Sequence, residues 1–329
     1  MRSPSFGKYV YDTPMTTRKP VPPRELSTLA PPNMEHEYFD GHAEHPFVPD
    51  AEEFTLVNAW WMAEAALLAY ADPSFAEAKL EEAGLSEFRH FDGKSTQCYV
   101  AHGGSEFTIV SFSGSDMRER EGSGAFDVLA DWLTDLNFDR ASSVQGGQVH
   151  RGFKKALDEV WDPPDREGED SLKNYLENIR ENGREKIWFT GHSLGGALAV
   201  LAAARYEEAA GTYTFGAPRV GAREFVKRFN APAYRLVNGE DVVTGFPLRG
   251  RYRHVGENRI IDSDGEIRSA RAGWSGLRES AERAYLKLKY RGSTKKPIRD
   301  ILLDHAPIFY AVHIWNAYIQ ENSGKVPPR

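Results

Sequence analysis

The sequence predicts an α/β fold in which a mostly parallel central sheet is covered by helices on both faces. Segments with strand composition alternate with segments of helical spacing along most of the chain. Hydrophobic residues make up 40% of the 329 residues, which is enough for a substantial core. Proline and polar residues dominate only the beginning of the chain. We therefore expect an N-terminal arm, extended or disordered, over residues 1–50, followed by one α/β domain over residues 51–329.

Strands and helices are assigned from composition and from the spacing of apolar residues. The segments rich in β-branched and aromatic residues predict strands at 96–101, 107–114, 186–190, 212–216 and 233–238. The segments with apolar residues three and four positions apart predict helices at 54–71, 126–137, 153–161, 171–183 and 196–209. A final helix is expected to begin at Pro307, because proline is favoured in the first helical turn.

Composition argues against several classes of protein. A net charge of -7 does not provide the basic surface that nucleic-acid binding requires. Cys98 is the only cysteine, so no internal disulfide can form. The N-terminus lacks the apolar core of a signal peptide, and no apolar run reaches the roughly 18 residues of a transmembrane helix. We therefore expect a cytoplasmic protein without nucleic-acid partners.

A glycine-rich motif lies between the strand at 186–190 and the helix at 196–209. It reads Gly191-His192-Ser193-Leu194-Gly195-Gly196. The pattern G-x-S-x-G between a strand and a helix is typical of a nucleophile elbow, a tight turn that admits only glycine on either side of the serine. The helix that follows directs its N-terminal amides toward developing negative charge. The motif therefore predicts an α/β-hydrolase fold with Ser193 as the nucleophile.

A serine nucleophile needs a base, and the base needs an orienting carboxylate. In α/β-hydrolases the acid and then the base follow the serine along the chain. Asp241 is the preferred acid because it comes just past the strand at 233–238, on the edge of the sheet where such sites assemble. The neighbouring Glu240 remains an alternative.

Three histidines follow Ser193 in the sequence. His305 is the preferred base, because a helix starting at Pro307 leaves it in the preceding loop, free to reach the serine. His313 falls within an apolar helix and is expected to be a core residue. His254 falls within a predicted strand, RYRHVG, and is also expected to be structural. His192 adjoins the serine and is expected to point elsewhere on the turn.

The oxyanion of the tetrahedral intermediate needs two backbone N–H donors. Leu194 should supply one, since it directly follows the nucleophile. The second should come from the loop after an early strand, and VSFSGSD (110–116) places Ser115 at that position. An ordinary glycine turn at Gly114 is the alternative interpretation of this segment.

Further segments, in the same order along the chain, resemble the fungal-type (class 3) lipases. They are NAWWMAEAALLAYAD, VSFSGSD, DWLTDL, VHRGFKKAL, FTGHSLGGALA, TYTFGAPRVG, RLVNGEDVVTGFP and DHAPIFYAVHIW. The resemblance implies a triad of Ser193, Asp241 and His305, with Ser115 and Leu194 as oxyanion donors. It also implies cleavage of acylglycerols or related esters without a metal or other cofactor.

The sequence departs from the family pattern in three places. Ser113 stands where the family often has arginine, and Ala222 stands where asparagine follows PRVG. The stretch after the oxyanion residue, DMREREGSGAFDVLA, is charged and glycine-containing rather than strongly apolar. The family lid normally occupies that position, so this chain carries no evident apolar lid there.

Two other segments have more than one interpretation. The cluster in HEYFDGHAEH, which contains His36, Asp40, His42 and His45, is expected to be a solvated arm, with a metal site as the alternative. Residues 268–296 combine many basic residues with an apolar stripe that includes Trp274. We interpret this segment as an insertion helix packed on the core, with peripheral contact to an anionic membrane surface as the alternative.

The expected activity is hydrolysis of lipid carboxylic esters through an acyl-enzyme, with a lipid or small ester as substrate. A short-chain carboxylesterase or an acyltransferase would use the same triad. A catalytically silent fold that binds lipid or a protein partner is the alternative from another class. The Ser, Asp and His in the expected order favour an enzyme.

Overall fold

The computed structural model describes residues 17–25, 30–114, 139–163, 171–183, 186–206, 208–239, 241–247, 251–269 and 303–323. Eight strands of this part of the chain form one sheet in the order β1-β2-β3-β6-β7-β8-β9-β10. Their bounds are β1 Ser86–Asp92, β2 Gln97–Gly103, β3 Phe107–Phe112, β6 Ile187–His192, β7 Gly211–Phe215, β8 Ala233–Asn238, β9 Glu257–Ile261 and β10 Ile267–Ser269. Two short strands, β4 (Arg140–Ser142) and β5 (Gln148–His150), form a separate antiparallel pair.

The centre of the sheet is parallel and its two edges are antiparallel. Strands β3, β6, β7, β8 and β9 pair in parallel. At one edge β1 and β2 run antiparallel, and at the other β10 runs antiparallel to β9. Because the carboxyl ends of the parallel strands share one edge, the ends of β3, β6 and β8 lie on the same side of the sheet.

Helices cover both faces of the sheet. Their bounds are α1 Leu56–Leu68, α2 Pro73–Glu82, α3 Arg151–Trp161, α4 Leu172–Glu181, α5 Leu194–Tyr206, α6 Arg223–Arg228 and α7 Pro307–Asn322. Helices α1 and α7 bury their apolar residues in one hydrophobic cluster, and α3, α4 and α5 bury theirs in another. Within β6, Trp188 faces the first cluster while Ile187 and Phe189 face the second. This alternation is the period-two pattern of a sheet buried on both faces, and it confirms the predicted fold class.

Helices α1 and α7 pack directly on each other. The rings of Trp60 and Trp315 lie 4.6 Å apart, and both side chains are fully buried. Helix α1 begins where the Thr55 side chain accepts a hydrogen bond from the Asn58 backbone N–H, a standard N-terminal cap. This packing matters for the site because α7 follows directly on the turn that carries His305.

The described part of the predicted arm packs into the domain. Phe39 and Phe47 are buried, and the Phe39 ring lies 5.2 Å from the ring of Trp61. Nearer the N-terminus, the backbone of Lys19 exchanges hydrogen bonds of 2.7 and 2.9 Å with the Asn316 side chain on α7. Residues 36–47 therefore do not form a solvated arm, because their aromatic side chains complete the core beside α1.

Several elements were not predicted from the sequence. Strand β1 lies at the sheet edge and has mostly exposed or half-buried residues, so its composition does not stand out. Strands β9 and β10 are also outside the sheet centre and only partly buried. The predicted strand RYRHVG is wrong at His254, since this segment contributes only an isolated bridge between Gly221 and Arg253.

Some predicted features lie outside the described residues. They are Ser115, Glu240, the stretch 116–130, the predicted helix at 126–137 and most of the basic segment 268–296. Elsewhere the predicted boundaries hold to within a few residues, as at β8, where strand 233–238 coincides with the observed one.

Candidate active site

Ser193 lies at the junction of β6 and α5, with a backbone φ of 57°. Side chains with a Cβ rarely adopt this left-handed conformation, and its occurrence at a strand-to-helix turn is the strained geometry of a nucleophile elbow. The Ser193 N–H donates to the Phe215 carbonyl at 2.9 Å, which fastens the turn to the end of β7. Ser193 is buried, with 5% of its surface exposed.

The glycines on either side of Ser193 make close backbone contacts. A Cβ on Gly191 would collide with the backbone of Gly195, and a Cβ on Gly195 would collide with the carbonyl of Phe112. Each glycine is therefore required because neighbouring backbone occupies the space of a side chain. The second contact also presses the end of β3, where the predicted oxyanion loop begins, against the nucleophile turn.

Asp241 and His305 form a buried hydrogen-bonded pair. His305 Nδ1 lies 2.8 Å from Asp241 Oδ2, and the two side chains are 2% and 0% exposed. His305 Nε2 is also buried and has no hydrogen-bond partner among the residues that the structure describes. Because a carboxylate only accepts, Nδ1 carries a proton in this pair and Nε2 of the neutral ring is left with a lone pair.

A second buried donor holds the same carboxylate oxygen. The Tyr310 hydroxyl donates to Asp241 Oδ2 at 2.5 Å and accepts from the Asn238 backbone N–H at 3.0 Å. The Val243 N–H donates to Asp241 Oδ1 at 3.0 Å. Burial, followed by the charge of Asp241, raises the pKa of Tyr310 well above its ordinary value, so this hydroxyl keeps its proton. Asp241 is therefore oriented through both of its oxygens.

Tyr310 was missed in the sequence analysis. It lies in the first turn of α7, and the apolar composition of this helix does not indicate a hydrogen-bond partner for a tyrosine hydroxyl. The available signal is that His305 and Tyr310 flank the start of one helix, so both can face the same carboxylate.

Gly216 lies where the acid and the base meet. Its φ is +60°, and a Cβ there would lie 2.5 Å from Asp241 Oδ2 and 2.9 Å from His305 Nδ1. The glycine that ends TYTFG therefore leaves room for the Asp241–His305 pair.

His192 points into the site, contrary to the sequence-based expectation. It is buried, and its ring centroid lies 4.3 Å from that of His305. Its Nε2 is 2.6 Å from the His305 carbonyl oxygen, and its Nδ1 is 2.8 Å from the Tyr70 hydroxyl. Burial, and then the proximity of His305, lower the pKa of His192 well below its ordinary value. His192 is therefore neutral at physiological pH.

Of the two predicted oxyanion donors, the described residues include Leu194. It is the first residue of α5, and the N–H groups of a first helical turn have no acceptor within the helix. Ser115 lies outside the described residues, and the preceding Gly114 is the last residue of its segment that the structure describes.

The alternative histidines lie in other surroundings. His254 Nε2 is 2.9 Å from the Thr244 carbonyl. His313 stacks on Phe309 with ring centroids 5.9 Å apart and is only partly buried, so it is not the core residue that was expected. The carboxylate of Asp241 is thus shared by His305 and Tyr310.

The histidines of HEYFDGHAEH each have a different partner. His36 lies 2.8 Å from the buried Glu64 carboxylate, and His45 Nδ1 lies 3.0 Å from the Tyr318 hydroxyl. In the described ranges, no three His, Cys, Asp or Glu side chains are grouped so that they could hold a metal ion. Across those same ranges, no helix is long and apolar enough to cross a membrane.

Comparison with known proteins finds a family match over the central part of the chain. Residues 111–250, which include Ser193 and Asp241 but not His305, match the family described as Lipase (class 3). The chain is therefore similar to the class 3 lipases over this region.

Two characterised relatives illustrate the similarity. The chain is 33% identical over 181 residues to a lipase of Rhizomucor miehei, an alignment that covers 50% of this chain and 45% of the relative. It is 33% identical over 144 residues to the secreted mono- and diacylglycerol lipase 1 of Fusarium solani, covering 41% of each. The chain therefore spans less than half the length of these relatives.

Solved structures support the fold. One neighbour, a triacylglycerol lipase whose catalytic centre is a serine protease triad, superposes with a TM-score of 0.50 at 24% identity. The superposition covers 66% of this chain and 87% of that one. At this level of identity the likeness concerns the fold, and it agrees with the parallel sheet covered on both faces.

Proposed function

We propose that this chain hydrolyses carboxylic esters of lipids through an acyl-enzyme on Ser193. The observation that carries the proposal is the buried His305–Asp241 pair, which leaves His305 Nε2 without a partner beside the strained turn of Ser193. A buried imidazole with one nitrogen bound to a carboxylate and the other unpartnered is arranged to accept a proton.

In the first half of the reaction, Ser193 Oγ attacks the ester carbonyl while its proton passes to His305 Nε2. The carbonyl oxygen becomes an oxyanion, which the backbone N–H groups of Leu194 and Ser115 stabilise. When the intermediate collapses, the C–O bond to the alcohol breaks and His305 returns the proton to the departing alcohol oxygen. Ser193 is then left as an acyl ester.

In the second half, water takes the place of the alcohol. His305 removes a proton from water as the water oxygen attacks the acyl carbon, and the same two amides hold the second oxyanion. Collapse releases the carboxylic acid and returns the proton to Ser193 Oγ. Asp241 remains ionised throughout and stabilises the imidazolium that forms in each half-reaction.

Lipid esters are the proposed substrates because relatives of the chain act on them. The two relatives above are a lipase and a mono- and diacylglycerol lipase, and a third, from rice, is a phospholipase A1. These names share one chemistry, the hydrolysis of a fatty-acyl ester of a glycerol backbone.

The basic segment 268–296 suggests that the substrate lies at an anionic membrane surface. Its sequence places many Arg and Lys, including Arg278 and Lys287, beside Trp274 and Leu277. Basic residues near an anionic surface contribute about 1 kcal/mol each, and salt weakens the attraction. Co-sedimentation with phosphatidylglycerol vesicles should therefore fall at high salt and in a variant with Arg278, Arg283, Lys287 and Lys289 changed to Gln. Equal binding to neutral vesicles would contradict this part of the proposal.

The activity is tested by fluorophosphonate labelling together with hydrolysis of p-nitrophenyl esters of two to eighteen carbons. We expect wild-type protein to be labelled and Ser193→Ala to be neither labelled nor active, with a rate loss of at least about 10³ and an unchanged melting temperature. A preference for long acyl chains would support a lipid substrate. An unlabelled wild-type protein would contradict the proposal and favour a silent binding fold.

A further inference from the structure

We propose that Tyr70 and His192 act as a positioning pair. The pair joins the end of β3, which leads to the predicted oxyanion donor, to the nucleophile turn and to the turn that carries His305. The inference rests on the proposed function, since it assigns roles in that reaction. Tyr70 follows α1 and His192 ends β6. Neither residue has a role in the mechanism described above.

The hydrogen bonds of the pair have a single consistent direction. The His305 carbonyl can only accept, so His192 Nε2, 2.6 Å away, must carry the proton. His192 Nδ1 then has a lone pair, and the Tyr70 hydroxyl at 2.8 Å must donate to it. On its other side, the Tyr70 hydroxyl lies against the Gly114 backbone, where a Cβ would collide with it. Gly114 therefore contacts Tyr70, and hydrogen bonds continue from Tyr70 through His192 to His305.

This series of contacts and hydrogen bonds connects the three segments whose relative positions decide the chemistry. Gly114 precedes the predicted oxyanion donor Ser115, His192 precedes Ser193, and the acceptor at the other end is the backbone of His305. The fit at the Gly114 end is close, because a Cβ there would collide with the Tyr70 hydroxyl. A shift of any one segment would disturb the Gly114–Tyr70 contact or lengthen one of the two hydrogen bonds of His192.

Neutral His192 is essential to this arrangement. A protonated His192 would direct Nδ1–H at the Tyr70 hydroxyl, which could then no longer donate to it. It would also place a positive ring beside His305, whose own ring becomes positive in the transition state. Burial and the nearby His305 lower the pKa of His192, and burial raises the pKa of Tyr70, so both groups stay neutral. Within the described part of the chain, the titratable side chains facing the His192 ring are Tyr70, His305 and Tyr310.

Three substitutions test the hydrogen bonds of Tyr70 and His192 separately. Tyr70→Phe removes the hydroxyl that donates to His192 Nδ1 and contacts Gly114. His192→Phe removes both nitrogens, whereas His192→Gln keeps an amide N–H that can reach the His305 carbonyl. Tyr213→Phe is the matched control, since it removes a buried tyrosine hydroxyl bonded to the Thr55 N–H away from the site.

We expect kcat to fall about 10-fold in Tyr70→Phe and about 100-fold in His192→Phe, with a smaller loss in His192→Gln, because misplacement of reacting groups by about 1 Å costs this order of rate. KM should stay within about two-fold, since neither residue is placed against the substrate. The acid limb of the kcat/KM profile should become steeper in Tyr70→Phe, where His192 can take up a second proton. Melting temperatures of all variants are measured alongside, and if His192→Phe does not fold, His192→Gln and Tyr70→Phe decide the question.

The outcomes distinguish the two proposals. A wild-type protein that neither reacts with fluorophosphonate nor hydrolyses esters overturns the proposed function and this inference with it. An active wild type with unchanged kcat in Tyr70→Phe and His192→Phe overturns the positioning pair alone. Equal losses of kcat in Tyr213→Phe and Tyr70→Phe also overturn it, because they would show a general loss of stability.

Discussion

The nucleophile turn consists of the consecutive residues 191–196, which include the end of β6 and the start of α5, whereas the acid–base end of the site is assembled from distant parts of the chain. Asp241 follows β8, His305 ends the turn before α7, and Tyr310 belongs to α7 itself. The turn is held by backbone against backbone, as the contact between Gly191 and Gly195 shows. The acid–base end is held by hydrogen bonds of side chains, to one another and to backbone N–H groups.

This difference has consequences for substitution. At the turn, an added side chain meets backbone that cannot move, so the geometry tolerates little change. At the acid–base end, removal of one donor leaves others in place, because Asp241 is bonded to His305, Tyr310 and the Val243 N–H. We therefore expect graded losses of activity there, according to which bond is removed.

The largest effect should come from the base itself. His305→Ala should lower kcat/KM by at least about 10³, because no other group can take the Ser193 proton. His313→Ala is the matched control; its partly buried ring stacks on Phe309, so it should cost some stability and little activity. Ester hydrolysis and circular dichroism melts measure the two effects. Activity lost only in the His313 variant would reverse the assignment.

A smaller loss of kcat/KM is expected at Gly216, whose backbone lies against the side chains of Asp241 and His305. Gly216→Ala should lower kcat/KM about 100-fold, because its Cβ would lie 2.5 Å from Asp241 Oδ2 and displace the carboxylate. Gly104→Ala is a close control, since Gly104 has a φ of +61° and nothing within 4 Å of an added Cβ. Both variants carry the strain of a positive φ, about 1–2 kcal/mol, and only the first should lose activity. Equal activities would show that the collision is relieved without cost.

Removal of the second donor to Asp241 should cost less again. Tyr310→Phe should lower kcat about 10-fold with little change in KM, because a hydrogen bond to a charged group contributes about 1.5–3 kcal/mol and His305 remains bonded. Tyr252→Phe, which removes a hydroxyl bonded to the Asp139 carbonyl away from the site, should retain full activity. A Tyr310→Phe enzyme as fast as wild type would mean that His305 alone orients the carboxylate.

The smallest effect concerns stability against pH. The pKa of His192 is lowered in the folded protein, first by burial and then by His305, so below about pH 6.5 the unfolded chain binds more protons than the folded one. The free energy of unfolding should therefore fall as pH decreases below about 6.5, by up to about 1.4 kcal/mol per pH unit. His45 and His313, whose pKa values burial also lowers, act in the same direction. Urea unfolding between about pH 5 and 7.5 should show a shallower slope in His192→Gln, and an unchanged slope would contradict the buried neutral state.

Much of the fold follows from patterns that are local in the sequence. The strands β3, β6 and β8 are rich in β-branched and aromatic residues, and the helix after GHSLGG is almost entirely apolar. The exposed edge strands β1 and β10 lack this signal because solvent, rather than a packed layer, faces much of their surface. The proline-rich beginning of the chain was misleading for a different reason, since the partners of its aromatic residues lie on distant elements. Phe39 packs on Trp61 of α1, and Phe47 stacks on Phe107 of β3.

The sequence by itself predicted the class of fold, the resemblance to class 3 lipases and Ser193 as the nucleophile, because a tight turn between a strand and a helix requires glycine on either side of the serine. Chain order, together with the places of the predicted strands and helices, favoured Asp241 and His305. Only the tertiary structure decided that His305 shares Asp241 with Tyr310. It also decided that His192 forms hydrogen bonds with both the His305 carbonyl and the Tyr70 hydroxyl. The physical reason is that hydrogen bonds between residues far apart in the chain depend on how the layers pack, and no local pattern of composition or spacing records that packing.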